Sequence, residues 1–266
     1  MSTPILSVEH LSMRFGGLVA VDDLSFIAKR GDITALIGPN GAGKTTVFNC
    51  ITGFYKPTSG SIRLAHDSGA EFRLERLNDF RISKQAKVAR TFQNIRLFPG
   101  LNILDNVRLA GQLHARHGLR DTLFRTDRYR TEEDEIRRKA LELLELFDLQ
   151  DRAYEPADCL SYGHQRHLEI VRALAAGPKV LLLDEPAAGL NSQEKHELAQ
   201  SIREIRDRFG VSILLIEHDM GLVMDICEQI TVLDHGVIIA HGPPQAIQND
   251  PKVITAYLGC EVDAVK

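Results

Sequence analysis

From Leu6 to Ile37 apolar residues recur at about every second position: Leu6, Val8, Leu11, Met13, Phe15, Val19, Val21, Leu24 and Phe26. This is the period of half-buried antiparallel strands, and Phe15-Gly16-Gly17 and Lys29-Arg30-Gly31-Asp32 supply the turns. The run Ile33 to Ile37 is short, apolar and β-rich. Val180 to Leu183 is apolar without interruption, as expected of a central parallel strand covered on both faces. Ser212 to Ile216 reads as a second apolar strand, and Ile230 to Leu233 with Val237 to Ala240 as a hairpin around Asp234-His235-Gly236. Shorter strands are expected at Ile62 to Leu64, Glu71 to Leu74 and Val88 to Phe92. Helical spacing appears elsewhere. Val47 to Gly53 reads as a helix closed by glycine, and in Glu132 to Phe147 the residues Ile136, Ala140, Leu143, Leu144 and Phe147 share one face. Leu168, Val171, Leu174 and Ala175 follow the same period up to the stop Gly177-Pro178, with Ser161 as N-cap. Met220 to Cys227 is a further helix, and the whole segment Asn94 to Asp158 has a helical texture.

At 266 residues the chain is long enough for one large or two small domains with a substantial core. A formal net charge of −4 argues against a dedicated nucleic-acid binder. Cys50, Cys159, Cys227 and Cys260 are scattered without metal-ligand pairing and read as free thiols of a reducing compartment. The N-terminal stretch MSTPILSVEHL has neither a basic nor a long apolar segment, and no apolar run is long enough to span a bilayer. Any membrane role is therefore expected to come through partners. The segment His114 to Arg130 is locally basic with Phe124 and Tyr129 interleaved, and it reads as a solvated helix face. His114 and His117 have a spacing that could share a metal, but no Cys or carboxylate cluster accompanies them.

The chemistry concentrates in the stretch Gly38-Pro39-Asn40-Gly41-Ala42-Gly43-Lys44-Thr45-Thr46. A strand precedes it and a helix follows it, the setting in which glycines let backbone N–H groups turn toward phosphate and the helix dipole favours an anion. Lys44 adds a point charge for the β- and γ-phosphates, and Thr45 a hydroxyl for Mg²⁺. Two carboxylates, Asp184 and Glu185, close the strand Val180 to Leu183, at the sheet edge where ligands bind in open α/β folds. Mg²⁺ for Asp184 and a catalytic water for Glu185 are physically sensible partners. His218 follows the next apolar strand and can donate to a γ-phosphate from the same edge. Gln93 offers a neutral amide to Mg²⁺ or water if it is not simply a surface residue. Phe15, a short distance upstream, is either a core residue or a platform for adenine. In Leu160-Ser161-Tyr162-Gly163-His164-Gln165 the capped helix start, left bare by Gly163, could bind an anion or be an ordinary helix start.

Taken in order, Phe15, the loop from Gly38 to Thr46, Gln93, LSYGHQ, LLLDEP and His218 resemble the succession of conserved segments in an ATP-binding-cassette ATPase, over nearly the whole chain. The resemblance implies an α/β P-loop NTPase (RecA-like) core with an antiparallel β subdomain and an inserted α-helical subdomain. It divides the chain into 1–94 and 166–241 for the core, 95–165 for the helical subdomain and 242–266 for a helical tail. It implies that Lys44 and the loop amides hold ATP phosphates, and that Thr45, Gln93 and Asp184 arrange Mg²⁺. Glu185 would be the general base, and His218 would touch the γ-phosphate. Ser161 and Gly163 would reach the ATP of a second cassette packed head to tail. Tyr162 and His164 depart from the commonest signature, LSGGQ, and Ala188-Gly189-Leu190-Asn191 from the common SALD. These departures, the helical insert and the ending Asn249-Asp250-Pro251 to Tyr257-Leu258-Gly259 look like the ATPase subunits of branched-chain amino acid importers. That subgroup implies hydrophobic transmembrane permease subunits, a second ATPase subunit that differs from this chain or else a second copy of it, an indirect extracytoplasmic substrate-binding protein, and a peripheral place on the cytoplasmic face of the cell membrane. Import of urea, amides or other amino acids by the same machinery is the alternative, followed by a non-transport ATPase of the same fold and a small-molecule kinase.

Overall fold

The computed structural model describes residues 3–115 and 119–263. Strands β1 (Pro4–Phe15) and β2 (Leu18–Lys29) pair antiparallel across the Gly16–Gly17 turn, and β3 (Ile33–Ile37) then leaves them for a different sheet. The alternation that announces β1 and β2 has its physical cause in that pairing, since Val8, Leu11, Leu24 and Phe26 are buried while the residues flanking each are exposed or half-buried. Strands β4 (Ser59–Ala65) and β5 (Glu71–Arg73) complete an antiparallel sheet in the order β2-β1-β4-β5.

The second sheet adds β6 (Val88–Arg90), β7 (Val180–Asp184), β8 (Ser212–Ile216), β9 (Gln229–Asp234) and β10 (Val237–Gly242) in the order β10-β9-β3-β8-β7-β6. All its pairs are parallel except β9 with β10. Every residue of β3, β7 and β8 is buried, which explains their unbroken apolar runs: each must satisfy two faces. Ile33, Ala35, Ile37, Leu181, Leu183, Ile213 and Leu215 enter one hydrophobic cluster, while Leu36, Leu182, Leu214 and Ile216 enter another, which the antiparallel sheet closes.

The helices are α1 (Lys44–Ile51), α2 (Asp79–Lys84), α3 (Ile103–Gly111), α4 (Leu119–Phe124), α5 (Asp127–Leu144), α6 (Tyr162–Ala175), α7 (Ser192–Phe209), α8 (Met220–Ile226), α9 (Pro244–Gln248) and α10 (Pro251–Asp263). The packed trio α3, α5 and α6 contributes Val107, Leu144 and Val171 to the first cluster, so the helical insert is seated on one face of the parallel sheet. Helix α1 begins at Lys44, earlier than the apolar spacing from Val47 suggests, because Gly43 at φ 100° serves as its N-cap and the polar residues Lys44, Thr45 and Thr46 already form its first turn. Strand β6 stops at Arg90, short of Phe92: beyond it the N–H of Phe92 is directed to a Glu169 carboxylate oxygen 3.4 Å away.

Among the described residues no helix is long and apolar enough to cross a membrane. Cys50 and Cys227 are buried free thiols and Cys159 is an exposed one; the side chain of Cys260 lies outside the described residues. The pair His114 and His117 likewise falls outside what the structure describes, and in the rest of that basic stretch Leu123 and Phe124 are exposed.

Candidate functional site

The glycine-rich loop is braced by the tip of the β9–β10 hairpin. Gly236 donates its N–H to Ala42 O at 3.1 Å and accepts from Asp22 N–H at 2.9 Å, tying the loop, the hairpin and β2 together. Gly38 (φ 149°) admits no side chain, because a Cβ there would lie 2.0 Å from Leu233 O. Gly43 is equally constrained, with Ala20 O at 2.5 Å from its virtual Cβ. Glycine is thus needed here for close approach as well as for dihedral freedom. Asn40, Gly41 and Thr45 are exposed, Pro39, Gly43 and Thr46 are half-buried, and Ala42 is buried. Lys44 is 6% exposed, and its Nζ donates to Gly38 O at 2.7 Å and Pro39 O at 2.9 Å. Burial pulls its pKa down, and the nearby carboxylates of Glu185 and Asp184 push it back up. The loop ammonium and the strand-end carboxylates therefore share one electrostatic environment.

Parallel strands place the carboxylates side by side with the other candidates. Glu185, at φ 48°, sits in a left-handed conformation rare for a residue with a side chain, and its N–H donates to Ile216 O at 2.8 Å. Its Oε1 lies 2.9 Å from His218 Nε2, and its Oε2 accepts from Gln93 Nε2 at 2.9 Å. Three residues distant in sequence thus form one hydrogen-bonded chain, with the glutamate in the middle. Backbone strain that persists because the surroundings over-determine it is common at sites of chemistry.

Two charged residues that the sequence reading passed over organise this edge. Arg90, at the end of β6, forms a buried ion pair with Asp184, Nη2 to Oδ2 2.6 Å, and its Nη1 donates to Asn49 Oδ1 at 2.6 Å. The guanidinium also lies over the rings of Phe48 and Phe92, at 5.5 and 5.2 Å. Glu217 is 3% exposed and accepts N–H bonds from Ala187 at 2.7 Å and His218 at 3.0 Å, so it holds the loop after β7 against the loop after β8. Burial pushes its pKa up, while these backbone donors pull it down. A signal for Arg90 was present: a charged residue inside a strand-like run demands a buried partner.

At the start of α6, Ser161 caps the helix, its Oγ accepting from His164 N–H at 3.4 Å and lying 2.9 Å from His164 Nδ1. Gly163 is buried against α7, where a Cβ would come within 3.0 Å of Glu194 Oε1. Close helix packing inside this chain is therefore one reason for that glycine. Phe15 is 41% exposed at the end of β1 and meets Tyr55 edge to face, ring centroids 5.1 Å apart. It is not a core residue, which leaves its ring free to serve a ligand.

One turn further along α6, His167 stacks on Phe147 at 4.5 Å and is 8% exposed. Burial first, and then His164, lower its pKa from 6.5 to about 4, against the opposing pull of Glu197 and Glu194. The folded chain holds this ring neutral while the unfolded chain protonates it, so its contribution is intact above about pH 6.5 and is lost as pH falls toward 4. Between pH 7 and pH 5 the chain should lose about 2 kcal/mol through this group. Urea unfolding at the two pH values is expected to show H167L with a correspondingly smaller loss; equal pH dependence in both proteins would refute the assignment.

Thr45, Gln93 and Asp184 supply a hydroxyl, an amide oxygen and a carboxylate, all hard donors suited to Mg²⁺. Among the described residues no group of three or more His, Cys, Asp or Glu is placed to hold a metal. A Mg²⁺ ion here fits only as Mg²⁺ commonly binds, with a carboxylate and phosphate oxygens completing its shell.

Comparison with known proteins places the chain in a family. The family described as ABC transporter matches residues 21–188, and that described as branched-chain amino acid ATP-binding cassette transporter matches residues 237–259. The high-affinity branched-chain amino acid transport ATP-binding protein LivG of Salmonella typhimurium is 47% identical over 259 residues, spanning 97% of this chain and 99% of that protein. BraF of Pseudomonas aeruginosa, described in the same terms, is 45% identical over the same shares of the two chains. The ADP conformation of MJ1267, an ATP-binding cassette of an ABC transporter, superposes with a TM-score of 0.81 at 30% identity, covering 97% of this chain and all of that one. A dimeric post-hydrolysis state of the cassette MJ0796 bound to ADP and Pi gives a TM-score of 0.74 at 25% identity, over 90% and 98% of the two chains.

Proposed function

The chain belongs to the ABC transporter family, and from that premise we propose that it is the ATP-hydrolysing subunit of a membrane importer for branched-chain amino acids. The observation that carries the enzymatic half is the chain Gln93–Glu185–His218 at the sheet edge beside buried Lys44. In this reading Lys44, Thr46 and the backbone of Gly38 to Gly43 bind the phosphates, and Phe15 offers its exposed ring to the adenine. Mg²⁺ held by Thr45, Asp184 and Gln93 would neutralise phosphate charge. Glu185 takes a proton from the attacking water, kept oriented by Gln93 on one side and His218 on the other. His218 would also contact the γ-phosphate and so report its presence.

One chain supplies half of each site. Ser161 and Gly163 of a second cassette complete it, in keeping with the dimeric form of the MJ0796 cassette. A γ-phosphate gripped from both sides favours closure, and its loss on hydrolysis removes that grip. Because no described helix crosses a membrane, transport requires hydrophobic permease partners. Gln93 lies where β6 gives way to the helical insert, a position suited to passing closure on to them. The near full-length likeness to LivG and BraF favours branched-chain amino acids as cargo, delivered by an extracytoplasmic binding protein. It also favours a different ATPase subunit as the partner cassette, and a peripheral location on the cytoplasmic face of the membrane.

The test is an affinity pull-down of the tagged chain from detergent-solubilised native membranes, followed by reconstitution of what co-purifies. Two hydrophobic subunits, a second cassette, and uptake of leucine, isoleucine and valine in preference to urea are the expected result. Recovery with ribosomes, DNA-associated proteins or nothing would overturn the transport reading, and urea uptake the choice of cargo.

A further inference from the structure

Tyr162 and Arg166 occupy positions that the functional reading leaves without a task. Tyr162 is 49% exposed, yet one edge of its ring packs on Gly189, in the loop between β7 and α7. A Cβ on Gly189 would come within 3.0 Å of Tyr162 Cε1, and the glycine's φ of +79° disfavours other residues as well. The phenol oxygen accepts from Arg166 Nη2 at 2.9 Å. Arg166 itself is fully buried, and its fork donates to Phe92 O at 2.7 Å and Gln93 O at 2.8 Å. Glu169, 1% exposed, pairs with Arg166 at 3.2 Å and accepts from Phe92 N–H at 3.4 Å and Arg96 N–H at 3.2 Å. One side of α6 therefore clasps both carbonyls and amides of the segment that carries Gln93, while its first residue presses on the loop after Glu185.

A fixed, planar donor fork is suited to such multi-point grip, and burial makes each of its bonds costly to break. Without Tyr162 the fork would lose one acceptor at its open end, and Gly189 would lose its packing partner. We propose that Tyr162 is a positioning residue acting within its own chain: through Arg166 and Gly189 it locks the Gln93 segment, the start of α6 and the loop after β7 into one body. Tyr162 thus replaces the small residue common at this place with a tie between the two sides of the glutamate. Ser161 and Gly163 keep their task toward the second cassette, and Tyr162 sets the orientation in which they are presented.

Only the catalytic consequence rests on the function proposed above; the tie itself is testable without nucleotide. Y162F removes the hydroxyl acceptor and leaves the ring. In hydrogen–deuterium exchange of the full chain, Y162F should speed exchange of the amides of Phe92 and Arg96 about tenfold or more, the scale expected for one lost hydrogen bond to a charged group. In the assembled transporter kcat should fall severalfold with KM for ATP unchanged. R166K, which keeps the charge but not the fork, should raise the same exchange, and Y162F/R166K should be no worse than R166K alone. Unchanged exchange at Phe92 and Arg96 in Y162F, or fully additive effects in the double variant, overturns the proposal whether or not the protein hydrolyses ATP. Absence of ATPase activity in the assembled parent transporter would instead strike the proposed function and leave the exchange result standing.

Discussion

Replacing Glu185 by Gln is expected to leave ATP binding within about twofold of the parent while cutting hydrolysis by about 10²- to 10⁴-fold, the range for a lost general base. The size of the effect follows from the geometry. The carboxylate stands between His218 Nε2 at 2.9 Å and Gln93 Nε2 at 2.9 Å, and glutamine fits the same space with one acceptor oxygen retained. The backbone at φ 48° is held by the Glu185 N–H to Ile216 O bond, which the substitution does not touch. What disappears is the ability to take a proton. Because the γ-phosphate then persists, the closed dimer should accumulate with ATP trapped in it, visible by size-exclusion chromatography in ATP but not in ADP. Normal turnover by E185Q would remove Glu185 from the mechanism and require another base.

The features legible in the sequence are those whose cause is local. Alternation in β1 and β2, the unbroken runs of β7 and β8, and the cap Ser161 follow from the surroundings of single elements, and the structure reproduces them. The loop from Gly38 to Thr46 was legible because its chemistry needs consecutive residues. The start of α1 lies three residues before the apolar period suggests because its first turn is the polar Lys44, Thr45 and Thr46, which an apolar period does not register. Arg90, Glu217 and the Arg166–Glu169 pair escaped for a different reason. Each has its meaning only in partners far along the chain: Arg90 in Asp184, Glu217 in Ala187, Arg166 in Phe92 and Gln93. A charge in an otherwise apolar strand or helix face signals that a partner exists, but it does not say which one. Phe15 was ambiguous because spacing does not distinguish a strand end that turns inward from one that stays exposed.

Replacement of Arg90 by Met should cost about 3–5 kcal/mol of folding stability, the usual penalty for stripping one member from a buried ion pair. Methionine fills much of the space beside Phe48 and Phe92, so the loss is chiefly electrostatic: Asp184, 3% exposed, loses the guanidinium 2.6 Å away, and Asn49 loses its donor. R90K should recover only part of this, because a lysine cannot reach Asp184 and Asn49 as a planar fork does. The same reasoning separates Arg90 from an ordinary structural residue. In R90M the added positive charge of Mg²⁺ has an unmet carboxylate to satisfy, so the rise in melting temperature from ADP with Mg²⁺, relative to ADP with EDTA, should be larger than in the parent chain. In the parent, Arg90 competes with the metal for Asp184, so the metal-dependent increment should be smaller. An equal increment in both proteins would mean that Arg90 braces the sheet without tuning the charge that the phosphates and their cation meet. A larger one in R90M would identify it as the resident counter-charge of the site, holding Asp184 in place while nucleotide and metal come and go.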